Sequence, residues 1–261
     1  MTVTQAQAEL RKLAHTLDVA PERVAMLAEL PADDLRTLRR QLGEAMFQAD
    51  RPALVRVAAL SKAVPPAVAA KLARAVLPPL LAARTAELLE PHRAAEMVGR
   101  LPAAYLADVS RHMDAARAPE VVAAIPPEQV AQVAAELASR EEWVVIGSFV
   151  AQVTSAALAA SVARFSGEQL LRIGFVLEDV GRLDEIGGML TDEQVDGLLV
   201  AAASVGLWPE LTELLEHLSP ARIARLAEHY ARLDPSVRDE YEAAVDAGEL
   251  DTTILGRLAD A

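Results

Sequence analysis

The chain has 261 residues, 52 % hydrophobic and 24 % charged, which is enough apolar content to bury a core and too much for a disordered chain. Its 38 acids against 25 bases, a net −13, argue against a nucleic-acid-binding surface and against docking on an anionic membrane through bulk charge. With no cysteine, disulfides, thiolate nucleophiles and Cys-ligated zinc are excluded together.

Met1 to Arg11 is polar and lacks the apolar run of a signal peptide, so a cytoplasmic location is expected. Residues 1–29 are expected to form an N-terminal helical cap, folded as a hairpin. From there a start signal recurs: one large apolar residue, then Pro, Ser or Thr, then polar or small residues. It reads Leu30-Pro31, Val64-Pro65, Leu101-Pro102, Ile125-Pro126, Phe165-Ser166, Leu190-Thr191 and Leu218-Ser219. Proline suits the first helical position, where no amide donor is needed, and Ser or Thr caps free amides. Ser166 with Gln169 and Thr191 with Gln194 have capping-box spacing. Between signals, apolar residues fall at i, i+3 and i+4, as in Leu211, Leu214, Leu215 and Leu218, and alternating strand patterns are absent. The spacing predicts short helices of about 10 to 14 residues.

The signals keep a fixed distance. Ile125-Pro126-Pro127-Glu128-Gln129-Val130 matches Leu190-Thr191-Asp192-Glu193-Gln194-Val195 at an offset of 65, which also carries Trp143 onto Trp208 and Phe165 onto Tyr230. A looser copy starts at Val64-Pro65-Pro66. Such self-similarity predicts an all-α fold, a right-handed superhelix (an α-solenoid) of short helices with internal repeats of about 65 residues. Its body is residues 30–229, in units of about 30–100, 101–164 and 165–229, with a C-terminal helical cap over 230–261 and a helix starting at Asp234-Pro235.

Leu30-Pro31-Ala32-Asp33-Asp34-Leu35, Leu101-Pro102-Ala103-Ala104-Tyr105-Leu106 and Ile125-Pro126-Pro127-Glu128-Gln129-Val130 each open a Leu- and Ala-rich amphipathic turn. In this the chain resembles the helical N-terminal domain of MgtE-type magnesium transporters, whose fold is related to that of the flagellar motor-switch protein FliG. The resemblance implies a helical-repeat superhelix and, by analogy, a Mg²⁺-responsive regulatory module.

Trp143 to Ala163 runs for 21 residues without a charge. Thr154-Ser155 aligns with the helix start Ser219-Pro220, so two short helices are expected rather than one membrane span, although the length alone would reach across a bilayer. The copy from Trp208 carries Glu210, Glu213, Glu216, His217, Arg222 and Arg225, so its partner has lost a charged face. One reading is helices covered on all sides; the other is contact with an apolar ligand or partner. Gly147, Ser148, Gly174, Gly187, Gly188 and Gly206 stand inside helical patterns. Their missing side chains suggest close helix approach or an apolar cavity. The candidate ligand-binding residues are Trp143, Ile146, Gly147, Ser148, Phe149, Gln152, Phe175, Met189 and Trp208.

The titratable residues show no catalytic or metal-ligand spacing, and no Walker loop, GxGxxG or nucleophile elbow occurs. The sequence therefore predicts a non-catalytic helical-repeat binding protein holding a hydrophobic small molecule or lipid around residues 143–189. The alternatives are a protein–protein interaction scaffold, self-associating as a homodimer, and the Mg²⁺-responsive module. No cofactor, catalytic residue or metal ligand is expected.

Overall fold

A computed structural model describes residues 3–246; the end of the expected C-terminal cap, 247–261, lies outside the described residues. All regular structure among them is helical, with no strand. The chain divides into two compact units, Met1–Ser161 and Val162–Ala261.

The first unit opens with α1 (Val3–Thr16) and two 3₁₀ turns, Pro21–Arg23 and Ala25–Leu27. Then come α2 (Ala32–Lys62), α3 (Pro66–Val76), α4 (Pro79–Ala86), α5 (Pro91–Val98) and α6 (Ala103–Ser110). A 3₁₀ turn at Ala115–Arg117 leads to α7 (Pro119–Ala123), α8 (Pro127–Ser139), α9 (Trp143–Phe149) and α10 (Ser155–Val162). In the second unit α11 (Gly167–Phe175), a 3₁₀ turn at Val180–Arg182 and α12 (Leu183–Met189) precede α13 (Asp192–Ser204). The series ends with α14 (Trp208–Leu215), α15 (Pro220–Arg232) and α16 (Pro235–Asp246).

Proline sets the starts, but the helices begin one residue later than expected. Pro65, Pro78 and Pro126 are N-caps with φ −56° and ψ between 139° and 148°, and Pro66, Pro79 and Pro127 take the first helical position. A residue before proline is pushed out of the helical region, so in Pro-Pro only the second can be helical. Both capping boxes form: Ser166 and Thr191 accept from the amides of Gln169 and Gln194, whose side chains accept from the cap amides. Two expectations need correction. Of the segment expected to be a hairpin, residues 3–29 are one α-helix followed by 3₁₀ turns, and α1 packs on α2 instead. Helix α2 has 31 residues, far beyond the expected length. Gly43 and Pro52 do not stop it.

The recurrent contact in both units joins a helix to the second one along the chain, whereas α1 packs on α2 and α9 on α8. In the first unit α2 packs on α4, α3 on α5, α4 on α6, α5 on α7 and α6 on α8; in the second α11 packs on α13 and α13 on α15. Alanine suits this arrangement, because it favours helix and lets axes approach closely. Ala69, Ala70, Ala83, Ala94, Ala107 and Ala131 are all buried. The closest approach is in the second unit. A Cβ on Gly167 would stand 2.1 Å from the Leu198 nitrogen and 2.4 Å from the Gly197 carbonyl carbon, so α11 and α13 meet backbone to backbone.

Element bounds recur at the spacing found in the sequence. The 3₁₀ turns start at 115 and 180, then helices start at 127 and 192, 143 and 208, and 155 and 220. The exits from α8 and α13 match bond for bond. The amides of Glu142 and Leu207 donate to Leu137 and Ala202 at 3.1 and 2.9 Å, around residues of positive φ, Glu141 at 59° and Gly206 at 68°. This is the Schellman helix stop, which calls for a left-handed residue.

Candidate functional site

The nine residues singled out from the sequence fall in both units, and each set is described within its own. In the first unit Trp143, Ile146, Gly147, Ser148 and Phe149 lie on α9, and Gln152 lies in the turn that follows. The uncharged run is thus two short helices, α9 and α10, and no described helix is long and apolar enough to cross a membrane. Ile146 and Gly147 are buried, whereas Trp143, Ser148, Phe149 and Gln152 are half-buried. The Ser148 hydroxyl donates to the Val145 carbonyl at 2.8 Å, a bond within its own helix.

In the second unit Phe175 and Met189 are half-buried at the ends of α11 and α12. Trp208 is only 4 % exposed and belongs to a core with Leu171, Val195, Leu199, Leu211 and Leu226. Its ring meets Tyr230 edge to face, centroids 6.3 Å apart, a favoured aromatic geometry. Gly174, Gly187 and Gly188 do not leave open space. Leu214 fills the position beside Gly174, and Arg222 lies against Gly187 and Gly188. Gly206 serves its helix stop.

Sequence reading missed three polar clusters, each tying helices together. Glu9 on α1 is buried and takes Lys12 at 3.1 Å, Arg36 at 3.3 Å and Arg39 at 3.2 Å. Burial alone would raise its carboxyl, but Lys12, Arg39 and Arg36 outweigh that and hold it below the ordinary value. Glu87, just past α4, accepts the Asp114 amide at 3.0 Å and pairs with Arg117 at 3.1 Å and Arg84 at 3.6 Å. Arg117 also pairs with Glu44 and stacks on Phe47, its guanidinium 4.4 Å from the ring centre. Burial nevertheless dominates at Glu87, pushing its carboxyl up to about 7 against the pull of the Asp114 amide and the two arginines.

In the second unit His229 Nδ1 lies 2.6 Å from Asp196, Arg225 pairs with Asp192 at 2.6 Å, and the Asp184 carboxylate accepts the Ser219 amide at 2.8 Å. Gln194 does double duty: beyond its capping box, its amide donates to the Val162 and Phe165 carbonyls, each at 2.8 Å. Lys12 and Arg84 stand three residues from Glu9 and Glu87, but no local sequence signal announces the remaining partners, which stand 27 to 73 residues apart. Among the described residues no group of three or more His, Asp or Glu side chains is placed to hold a metal ion.

One surface feature had a signal in the sequence and was missed. Between Asp50 and Glu87 the chain has no acid and six bases: Arg51, Arg56, Lys62, Lys71, Arg74 and Arg84. Here α3 turns Val68, Leu72 and Val76 outward at i, i+4 and i+8, and Leu60, Leu80 and Leu81 are exposed on either side of it. The net charge of the whole chain conceals this reversal.

No family model, curated protein or solved structure matches this chain.

Proposed function

We propose that this chain is a non-catalytic helical-repeat module, a solenoid whose unit of about 65 residues was copied, and that it works as an interaction scaffold through its surface. The carrying observation is the serial packing of a helix on the second one along, from α2 to α8 in the first unit and through α11, α13 and α15 in the second. Stacking of this kind builds a core between neighbours only and leaves long faces for partners. The matched helix starts and Schellman exits support a copied unit. The fate of the polar side chains supports the absence of catalysis: Glu9, Glu87, Gln194 and His229 are spent on fastening helices. The scaffold reading is favoured over the interior-ligand reading, because Trp208 packs in a core and Leu214 and Arg222 occupy the space beside the glycines. The resemblance to the MgtE N-terminal domain agrees with a solenoid; Mg²⁺ response is not part of the proposal.

Native mass spectrometry of the purified full chain tests the reading. The expected result is the mass of the polypeptide alone, with no change of melting temperature in millimolar Mg²⁺. A stoichiometric co-purified lipid or pigment would overturn it in favour of an interior site around residues 143–189. A Mg²⁺-dependent rise in melting temperature would overturn it in favour of a cation-responsive module, since a ligand of the folded state stabilises that state.

A further inference from the structure

We infer that the α3 face, with the end of α2 and the start of α4, docks on an anionic lipid bilayer. The inference rests on the scaffold reading and names its partner. On α3 the buried positions are Ala69 and Ala70, which face the neighbouring helices. The exposed arc carries Val68, Leu72 (51 % exposed) and Val76 (71 % exposed), with Lys71 and Arg74 following on one side of that stripe. Leu60, 71 % exposed near the end of α2, and Leu80 and Leu81 at the start of α4 add apolar side chains to the same chain segment.

The combination is what an interfacial helix requires. Apolar side chains enter the boundary of the acyl region while Lys and Arg lay their stems along it and raise their charges to the lipid phosphates. Arg51, Arg56, Lys71 and Arg74 are exposed; the acids that reach this segment are Glu44, near Arg51, and Glu90, which pairs with Lys62 at 2.7 Å, so the charge offered to a partner is chiefly that of Lys71 and Arg74 on α3. Charge complementarity therefore favours a negative surface, and the projecting apolar ridge favours one that is soft enough to admit it.

Vesicle flotation with the full chain tests the inference. Binding is expected to equimolar phosphatidylcholine and phosphatidylglycerol vesicles and not to phosphatidylcholine alone, and it is expected to weaken as salt is raised. Leu72→Gln with Val76→Gln, and separately Lys71→Gln with Arg74→Gln, are expected to weaken it at least about tenfold with little change of melting temperature, because all four side chains are exposed. Val200→Gln, an exposed apolar site on α13, is the control expected to bind as the parent does. Failure to float, equal binding to both vesicle types, or binding indifferent to both double variants would overturn the inference. So would a dimer in light scattering that the Leu72 and Val76 changes dissolve, since a second copy would then be the occupant. None of these outcomes produces a co-purified ligand or a Mg²⁺ shift, so the scaffold reading fails separately.

Discussion

Glu87 makes the first unit more stable in mild acid than at neutral pH. Its carboxyl is buried and stands at about 7 in the folded chain against an ordinary 4.5. For a group raised in this way, the stabilising contribution is fully present below pH 4.5, where folded and unfolded chains are both protonated. It falls as pH rises, because the unfolded chain releases its proton first, and it is lost by about pH 7. The displacement corresponds to roughly 3 kcal/mol. Glu87→Gln keeps an oxygen for the Asp114 amide and cannot ionise. Urea unfolding of both proteins between pH 4.5 and 8 gives the difference directly, and the subtraction cancels the titration of His15 and His112, which burial lowers and which acts in the opposite sense. The variant should gain on the parent with rising pH and level off above 7 with an advantage of roughly 3 kcal/mol. Parallel pH profiles would refute the reasoning by showing that Arg84 and Arg117 hold the carboxylate ionised at no cost.

Gly167→Ala should destabilise the second unit by about 3 kcal/mol or prevent its folding, since the added carbon meets the backbone of α13, which cannot rotate aside; thermal melting checks it. Glu141→Gly should stabilise by about 0.5 to 1 kcal/mol, because Glu141 holds the left-handed conformation that its counterpart Gly206 adopts freely; the midpoint of urea unfolding reads it. Glu9→Ala should cost about 3 to 5 kcal/mol, because it removes the buried carboxylate on which Lys12, Arg36 and Arg39 converge, again measured in urea. Trp208→Ala should cost about 3 to 5 kcal/mol and Trp143→Ala distinctly less, since the first is a core residue and the second half-buried.

What the sequence disclosed follows from the range of the forces involved. Caps are local, so Ser166 with Gln169 and Thr191 with Gln194 could be read directly, and the 65-residue offset carried known starts onto unknown ones, as from Ser219-Pro220 to Ser155. The length of α2 was not legible. Gly and Pro normally punctuate helices, and here packing of α2 against α1 and α4 overrides both. The clusters around Glu9 and Glu87 were illegible because long-range folding, not spacing, brings in Arg36, Arg39 and Arg117, although Arg84 stands one turn from Glu87. The equivalence of the two tryptophans is positional, as both open a helix after a Schellman stop, yet their burial differs. The outward face of α3 is a different case: its composition was readable, but averaging charge over the chain hid it.

Hydrogen exchange measured peptide by peptide, with and without phosphatidylglycerol-containing vesicles, tests most directly that the protein binds through an outer helix face. Amides in residues 55–86 should gain protection while those in 143–189 exchange as before. Protection confined to 143–189 would contradict the account and place the binding site in the uncharged helices instead.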